Sequence, residues 1–391
     1  MSRATEPEDR HRTTQMRIVH VLLGTASADS MNGVNKVVHY LATEQQRAGH
    51  DVEVWSLTGK RQSYPSAPTS YRRRTFTTTP LRFVLSGDLR EALRTLHLDA
   101  LVQLHSVFIP EFRSIADTLY RRGIVYGLTP HGGYSPWVLA KDRVQKAVYV
   151  TLVEGRILRR AHLLHAVGES ELDDLRRLAP RTDVVLVPNG QVSLERREPV
   201  DHRDVRPVFC FCGRLALKHK GLDLLLDGFS RYLSAGGVGT LWLVGDGPDR
   251  RVLESMIGRL GLAASVRLHG AKYGEERVGL LAAADVFVHT SRWEGLPTAV
   301  LEAAALGVPV LISHATNLAP TVERHGAGFV LADNTADEIA KMMKRAETSV
   351  RDGSARALGR GATEMIEDEF SWSRVADSLV ARFRSEGFGS G

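Results

Sequence analysis

The chain has 391 residues, a length that on size alone accommodates two or three domains, each with a sizeable core. Its composition is 43% hydrophobic, 25% charged and 7% aromatic, which excludes a disordered, collagen-like or heptad-repeat protein. With 51 Lys and Arg against 45 Asp and Glu, the formal charge of +6 favours an anionic ligand, a membrane surface or nucleic acid without choosing among them.

Residues 1–15 are polar and mixed in charge, and are expected to form a disordered leader with no apolar stretch of the secretory kind. No apolar run approaches the roughly 20 residues of a spanning helix, so an integral membrane protein is not expected, although a peripheral one is allowed. Arg17–Gly24 is a β-branched run ending in glycine, which suits a buried parallel strand. Val34, Val37, Val38, Leu41 and Ala42 follow at helical spacing, and Asp51–Leu57 reads as the next strand, completing a βαβ unit. The alternation continues through strands at Asp99–His105, Ile124–His131, Leu163–Gly168 and Val184–Asn189. Residues 191–206 are charged and poorly periodic, and are expected to be a linker.

A second series opens with Pro207–Arg214 and runs through Thr240–Gly245, Ser265–Gly270, Asp285–Ser291, Pro309–Ser313 and Gly328–Leu331. The expected fold is therefore α/β: two Rossmann-like doubly wound domains, at 16–190 and 207–365. Such halves are expected to face each other across a cleft, with ligands at the carboxyl ends of the strands. Cys210 and Cys212 share one face of a strand, too close to pair, so they read as small buried hydrophobes in a reducing compartment rather than as a redox or metal pair.

Residues 291–309 (SRWEGLPTAVLEAAALGVP) join a strand end to a helix start. Pro297 suits the first helical turn, because its missing N–H is not needed there. The free N–H groups around Leu296, Thr298 and Ala299, together with the helix dipole, would hold a phosphate. Glu294 and Glu302 are spaced to address different parts of one extended ligand, carboxylates being good acceptors for sugar or ribose hydroxyls. Singly, Glu302 reads as a solvated helix residue and Glu294 as a loop carboxylate. With Gly295, Pro297 and the small residues that follow, the pattern is more specific.

Glu294–Glu302 is a Glu-x7-Glu motif that, with the following AAALGVPV, closely resembles the donor-site signature of retaining family-4 glycosyltransferases of the GT-B fold. Gly213–Gly221 resembles the Gly-Arg-Leu…Lys-Gly segment of that family, and Leu243–Pro248 its Gly-x-Gly-Pro turn. The resemblance spans residues from about 16 to 384, is stronger in the carboxyl half, and implies that a closing helix at 366–387, carrying Phe370–Phe383, returns to the first domain. It implies that Arg214 and Lys220 neutralise a leaving nucleoside diphosphate in place of a metal ion, with Lys218 competing for the second role. It further implies that Glu302 binds the ribose, that Glu294 and the backbone of Gly295, Leu296 and Pro297 hold the transferred sugar, and that Thr298 lies at the phosphates. Gly-Leu-Pro stands here where the family commonly has Gly-Phe-Gly. Leu268–Ala271 would border the nucleobase without telling uracil from guanine.

In the amino half, His131 in PHGGYSPW resembles the histidine that approaches the donor sugar, so it is expected to position substrate rather than to act as a general base. Gly33 occupies the place of the family's Gly-Gly loop, beside Asn32, which reads equally as a helix N-cap. Three basic clusters lie here: Arg72–Arg74, Arg121–Arg122, and Lys141, Arg143, Lys146, Arg156, Arg159 and Arg160. The last also carries Val144, Val148, Leu152 and Ile157, and reads either as an amphipathic core helix or as a surface docking on anionic lipid.

The expected function is retaining transfer of a sugar from a nucleotide donor, UDP-sugar favoured and GDP-sugar the alternative, to a carbohydrate or lipid-linked acceptor. No metal or other cofactor is expected, and the setting is cytoplasmic, with peripheral contact at the inner membrane face for cell-surface polysaccharide or glycolipid assembly. A nucleotide-sugar 2-epimerase on the same fold and a non-catalytic sugar-nucleotide-binding subunit are the alternatives. A nicotinamide dehydrogenase is disfavoured because neither half has Gly-x-Gly-x-x-Gly with a following acidic residue, and no motif supports nucleic-acid binding.

Overall fold

The computed structural model describes residues 15–28, 30, 32–59, 68–140, 142–192 and 206–385. The expected leader apart from Gln15, most of the expected linker, Lys141 and the last residues of the closing segment lie outside the described residues. The chain packs as two compact units. One takes the chain up to Ala166, Asp174–Val185 and the chain from Ala376; the other takes Val167–Asp173 and Leu186–Val375.

The first unit is built on seven strands: β1 (Arg17–Leu23), β2 (Asp51–Thr58), β3 (Arg72–Thr77), β4 (Ala100–His105), β5 (Tyr126–Thr129), β6 (Leu163–Ala166) and β7 (Val184–Leu186), in the order β3-β2-β1-β4-β5-β6-β7. From β3 to β6 the neighbours run parallel. Every residue of β4 is buried, as its near-continuous apolar run requires of a strand covered on both faces. The order reverses between β1 and β4, so the loops after these two strands sit side by side at the carboxyl edge. The chain from Ala376 packs in this unit, with Phe383 beside the glycine of β5, Gly127.

One element has no apolar signature. β3 is RRRTFT, an edge strand whose single buried residue is Phe76. Its arginines are spent on structure: Arg72 pairs with Asp51 at 2.7 Å and Glu53 at 3.1 Å, and Arg74 lies over the rings of Trp55 and Phe76. Charged side chains on an edge also discourage pairing with another chain. This basic cluster thus has a structural use at the sheet edge.

The second unit holds β8 (Val208–Cys212), β9 (Thr240–Val244), β10 (Val266–Gly270), β11 (Val286–His289), β12 (Val310–Ile312) and β13 (Gly328–Val330), all parallel, in the order β10-β9-β8-β11-β12-β13. Alternation along β8 sends Phe209 and Phe211 into one core layer and Cys210 and Cys212 into the other. Both thiols are free and buried, and burial raises their pKa, Cys212 to about 11, which makes them inert packing groups. The order reverses between β8 and β11, placing their following loops together.

Candidate active site

In the second unit the loop after β8 is strapped to the turn after β9. Gly213 N–H donates to Val244 O at 2.9 Å, Leu215 N–H to Asp246 O at 3.0 Å, and Leu217 N–H to Asp249 Oδ2 at 2.7 Å. A Cβ on Gly245, at φ +142°, would lie 1.9 Å from the Gly213 carbonyl, so only glycine permits this strap. The short helix Leu217–Lys220 ends on Gly221 in the left-handed region, where a Cβ would lie 2.0 Å from Thr290 O. That close approach brings Lys220 to the residues following β11.

Glu294 receives three bonds on one oxygen: Lys220 Nζ at 2.5 Å, Ser291 Oγ at 2.7 Å and His289 Nε2 at 3.0 Å all reach Oε1. Among the described residues no hydrogen bond reaches its Oε2. Burial alone would raise this carboxyl, but the His289 hydrogen bond and the Lys220 charge outweigh it and hold the pKa at about 2. Burial keeps His289 neutral, so it serves as an N–H donor and Lys220 supplies the charge. The carbonyls of Glu294 and Gly295 each accept from Asn317 Nδ2 at 2.8 Å, and that of Glu294 also from Ser170 Oγ at 3.2 Å. Lys218, the competing lysine, is 78% exposed and leans toward Asp223 at 3.6 Å. Lys220 is the lysine that meets the Glu-x7-Glu segment.

The helix that follows is Thr298–Ala305, and here one expectation is corrected. Pro297 is the N-cap, with an extended ψ of 101°, rather than a first-turn residue, because the chain is still leaving the Glu294 loop at that point. The consequence for the N–H groups survives: among the described residues, those of Leu296, Thr298 and Ala299 have no acceptor. Thr298 is exposed, and a Cβ on Gly295 would meet nothing within 4 Å. Glu302 is partly buried and does not touch Glu294. Its Oε1 accepts from Arg277 Nη2 at 2.9 Å; its Oε2 lies 2.7 Å from Arg277 Nη1 but off the hydrogen-bonding direction, and is buried without a hydrogen bond. Arg214 is exposed and makes no ion pair among the described residues; burial chiefly, with lesser help from the Lys220 and Arg214 charges, lowers the pKa of His219.

In the first unit, His131 follows β5 at φ +54°, with Nε2 3.1 Å from His105 Nδ1 and the two rings stacked. Two neighbouring loop residues, Ser106 and Phe108, also have positive φ. Glu154 clamps both loops: its carboxylate accepts from Phe108 N–H at 3.0 Å and from the Tyr134 hydroxyl. Gly33 is exposed at the start of the helix Gly33–Arg47, and Asn32 caps that helix by accepting from Val34 N–H at 2.9 Å. Among the described residues, no atom would meet a Cβ on Gly33 within 4 Å, so none of their packing contacts calls for glycine at this place.

The expected core helix over 141–160 is interrupted. Val150–Glu154 is a π-turn, whose extra residue shifts the helical phase. Ile157 after it is buried, whereas Val144 and Leu152 are 77% and 66% exposed and Val148 is exposed as well. Of the basic residues, Arg160 pairs with Asp117 at 2.5 Å and lies over Tyr120, while Arg143 is exposed. Arg122 donates to Leu93 O.

Arg277, Asn317, His289, Ser291 and Glu154 carry the site's geometry without having been singled out from sequence. His289 and Ser291 left a trace, as polar residues closing an otherwise apolar strand. Arg277 reads as one member of a solvated charge run, and nothing local marks Asn317 or Glu154.

Comparison with known proteins agrees across both units. A family model described as Glycosyltransferase Family 4 matches residues 31–192, and one described as Glycosyl transferases group 1 matches residues 193–365. A Bacillus subtilis protein named as glycosyltransferase EpsF is 29% identical over 385 residues, covering 91% of this chain and 92% of that one. A GDP-mannose-dependent alpha-mannosyltransferase of Mycobacterium tuberculosis is 29% identical over 217 residues, 54% of this chain and about half (49%) of its own length. Among solved structures, Anabaena HepE in complex with UDP and glucose aligns at a TM-score of 0.66 and 19% identity, covering 95% of this chain and all (100%) of that one, a likeness that fixes the GT-B fold.

The Glu294 environment has a titration signature. A carboxyl depressed from 4.5 to about 2 contributes stability that is complete above the ordinary carboxylate range and is lost as pH falls toward 2. Carboxyl-carbon NMR should therefore find Glu294 ionised at pH 4, and Lys220→Met should move its midpoint upward by about one unit or more. A midpoint near 4.5 in both proteins would contradict the arrangement.

Proposed function

The chain belongs to the family-4 glycosyltransferases, and from that premise we propose that it transfers a hexose-type sugar from a nucleoside diphosphate donor to an acceptor hydroxyl, with retention of anomeric configuration. One observation carries the reading. Glu294 and Glu302 flank the start of the same helix, and each has one oxygen held by protein donors; among the described residues the other has no hydrogen bond, that of Glu302 being buried and that of Glu294 lying 3.8 Å from His219 Nε2. A buried acceptor without a donor is costly, and hydroxyl-rich ligands supply donors. In this reading Glu302 takes the ribose hydroxyls, with Arg277 fixing the carboxylate, and Glu294 and the backbone of Gly295, Leu296 and Pro297 take the sugar.

The diphosphate belongs at the N–H groups of Thr298 and Ala299, with Lys220 and Arg214 balancing its charge. Lys220 then exchanges Glu294 for phosphate oxygens, and the leaving group is stabilised without a metal ion. The acceptor oxygen attacks from the face the diphosphate leaves, and a diphosphate oxygen takes its proton, so no protein base is required. The HepE complex with UDP supports a UDP-sugar, which we favour; the mannosyltransferase relative keeps a GDP-sugar as the alternative. His131 and Gly33 serve the same reaction from the first unit.

The acceptor we propose is a carbohydrate or lipid-linked saccharide used in cell-surface polysaccharide or glycolipid assembly at the cytoplasmic membrane face. Among the described residues no helix is long and apolar enough to cross a membrane. Support for peripheral contact comes from exposed apolar side chains on two adjacent segments: Val144, Val148 and Leu152, and Leu81, Phe83 and Val84. The Arg113 guanidinium reaches Leu152 O and the Ser114 hydroxyl reaches Phe83 O, which ties both segments to one helix. Exposed Arg143 adds positive charge suited to anionic headgroups.

Two measurements test these readings. Glu302→Ala and Arg214→Ala should melt near the wild-type temperature yet lose about 10²–10³-fold in kcat/KM, and EDTA should leave wild-type turnover intact. Normal turnover by both variants would sink the site assignment, and loss of activity on chelation would sink the metal-free reading. Separately, the protein should co-sediment with phosphatidylglycerol vesicles, and Val148→Glu with Leu152→Glu should abolish this while sparing transfer to a soluble acceptor. Equal sedimentation of wild type and variant would remove the docking surface.

A further inference from the structure

We propose that Gln45, His20 and His105 form a hydrogen-bonded tautomer lock that presents His131 with its Nε2 protonated and its Nδ1 bare, as a neutral acceptor for a sugar hydroxyl. The three are positioning residues, and the inference rests on the reading of His131 as a group that meets substrate. The row crosses adjacent elements of the first sheet. Gln45, on the helix Gly33–Arg47, places Oε1 2.7 Å from His20 Nε2 on β1. His20 Nδ1 is 2.9 Å from His105 Nε2 at the end of β4, and His105 Nδ1 is 3.1 Å from His131 Nε2 after β5.

Gln45, His20 and His105 are buried, and the titratable groups that act on His105 are His20, His131 and His165 on β6. Burial drives the rings toward the neutral form, His20 to about 4 and His131 to about 3. A neutral imidazole has one N–H, so each ring-to-ring contact needs one donor and one bare nitrogen. Two such contacts in series force all three rings into the same sense, and the group at the end of the row chooses that sense. The carbonyl oxygen of Gln45 accepts, so His20 is protonated at Nε2, His105 at Nε2 and His131 at Nε2.

The terminal group is an amide rather than a carboxylate, and that difference fixes the chemistry. An aspartate at this place would stabilise an imidazolium and make the last histidine a base. A neutral amide sets the tautomer and orientation without stabilising a charge. His131 then positions a hydroxyl by accepting its hydrogen bond and does not take its proton, as a transfer whose leaving group collects that proton requires. Glu154, by clamping the loops that carry Phe108 and Tyr134, holds the backbone from which His131 reaches the row.

The test is long-range 15N–1H NMR on the full chain with labelled histidine, His131 being identified by the signals lost in His131→Asn. The wild type should show His131 bare at Nδ1 and protonated at Nε2, unchanged from about pH 5.5 to 8. Gln45→Leu removes the terminal acceptor and should mix the tautomers of His131, lowering kcat by about tenfold with the donor KM unchanged. Gln45→Glu keeps an acceptor but adds a charge, so it should keep the single tautomer at pH 8 and, unlike the wild type, admit an imidazolium into the row as pH falls. A proton on Nδ1 in the wild type, or an unchanged tautomer in folded Gln45→Leu, overturns the lock. An intact lock with full turnover by His131→Asn overturns its purpose, and leaves the donor-site reading, which Glu302→Ala tests, standing by itself.

Discussion

Lys220 and Glu294 meet at 2.5 Å in side chains that are only 14% and 9% exposed. Withdrawing two charges from water to this degree costs several kcal/mol per ion, and mutual attraction offsets that only when further hydrogen bonds satisfy the groups. Ser291 and His289 do so for one carboxylate oxygen; among the described residues no hydrogen bond reaches the other, which His219 Nε2 approaches at 3.8 Å. A pair built for stability would satisfy both oxygens. This one is reached through two glycines, Gly221 and Gly245, whose missing side chains let three loops touch, so much of the second unit's carboxyl edge is shaped to put one lysine beside one carboxylate. The helix N–H groups without acceptors and the half-satisfied Glu302 extend the same logic along an elongated ligand.

The first unit solves a different electrostatic problem. Its polar centre is a row of histidines kept neutral by burial and ended by an amide, with a backbone in left-handed conformations at Ser106, Phe108 and His131. The second unit thus concentrates charge at its carboxyl edge, while the first keeps its histidine row neutral. Transfer in which the leaving group accepts the proton needs both properties, and neither requires a dedicated base.

Much of this was legible in the sequence because parallel strands buried on both faces leave near-continuous apolar runs, and most of the strands declared themselves that way. The Glu294–Glu302 spacing, the Asn32 cap and the burial of Cys210 and Cys212 followed from local chemistry or alternation. β3 was invisible because an edge strand made of arginine and threonine satisfies its pairing through long-range ion pairs to β2. The exposed face of Val144, Val148 and Leu152 was misphased because a π-turn shifts helical periodicity, and no composition rule marks one. Arg277 and Asn317 act on residues 25 and 22–23 positions distant in the chain, contacts that only the tertiary fold creates. In the sequence Lys218 competes with Lys220, which is favoured, and the direction in which one helical turn ends separates them.

In the proposed reaction Lys220, released from Glu294, is the lysine that receives the nucleotide-sugar diphosphate. A thermal-shift panel of UDP-, GDP-, ADP- and dTDP-sugars on wild type and Lys220→Met tests it most directly, since a ligand that binds only the folded state raises the melting temperature. A rise of several degrees is expected for one nucleotide class, UDP-sugars first, at about a hundredfold excess over Kd, and little or none in Lys220→Met. No rise with any member of the panel, or an equal rise in the variant, would contradict it.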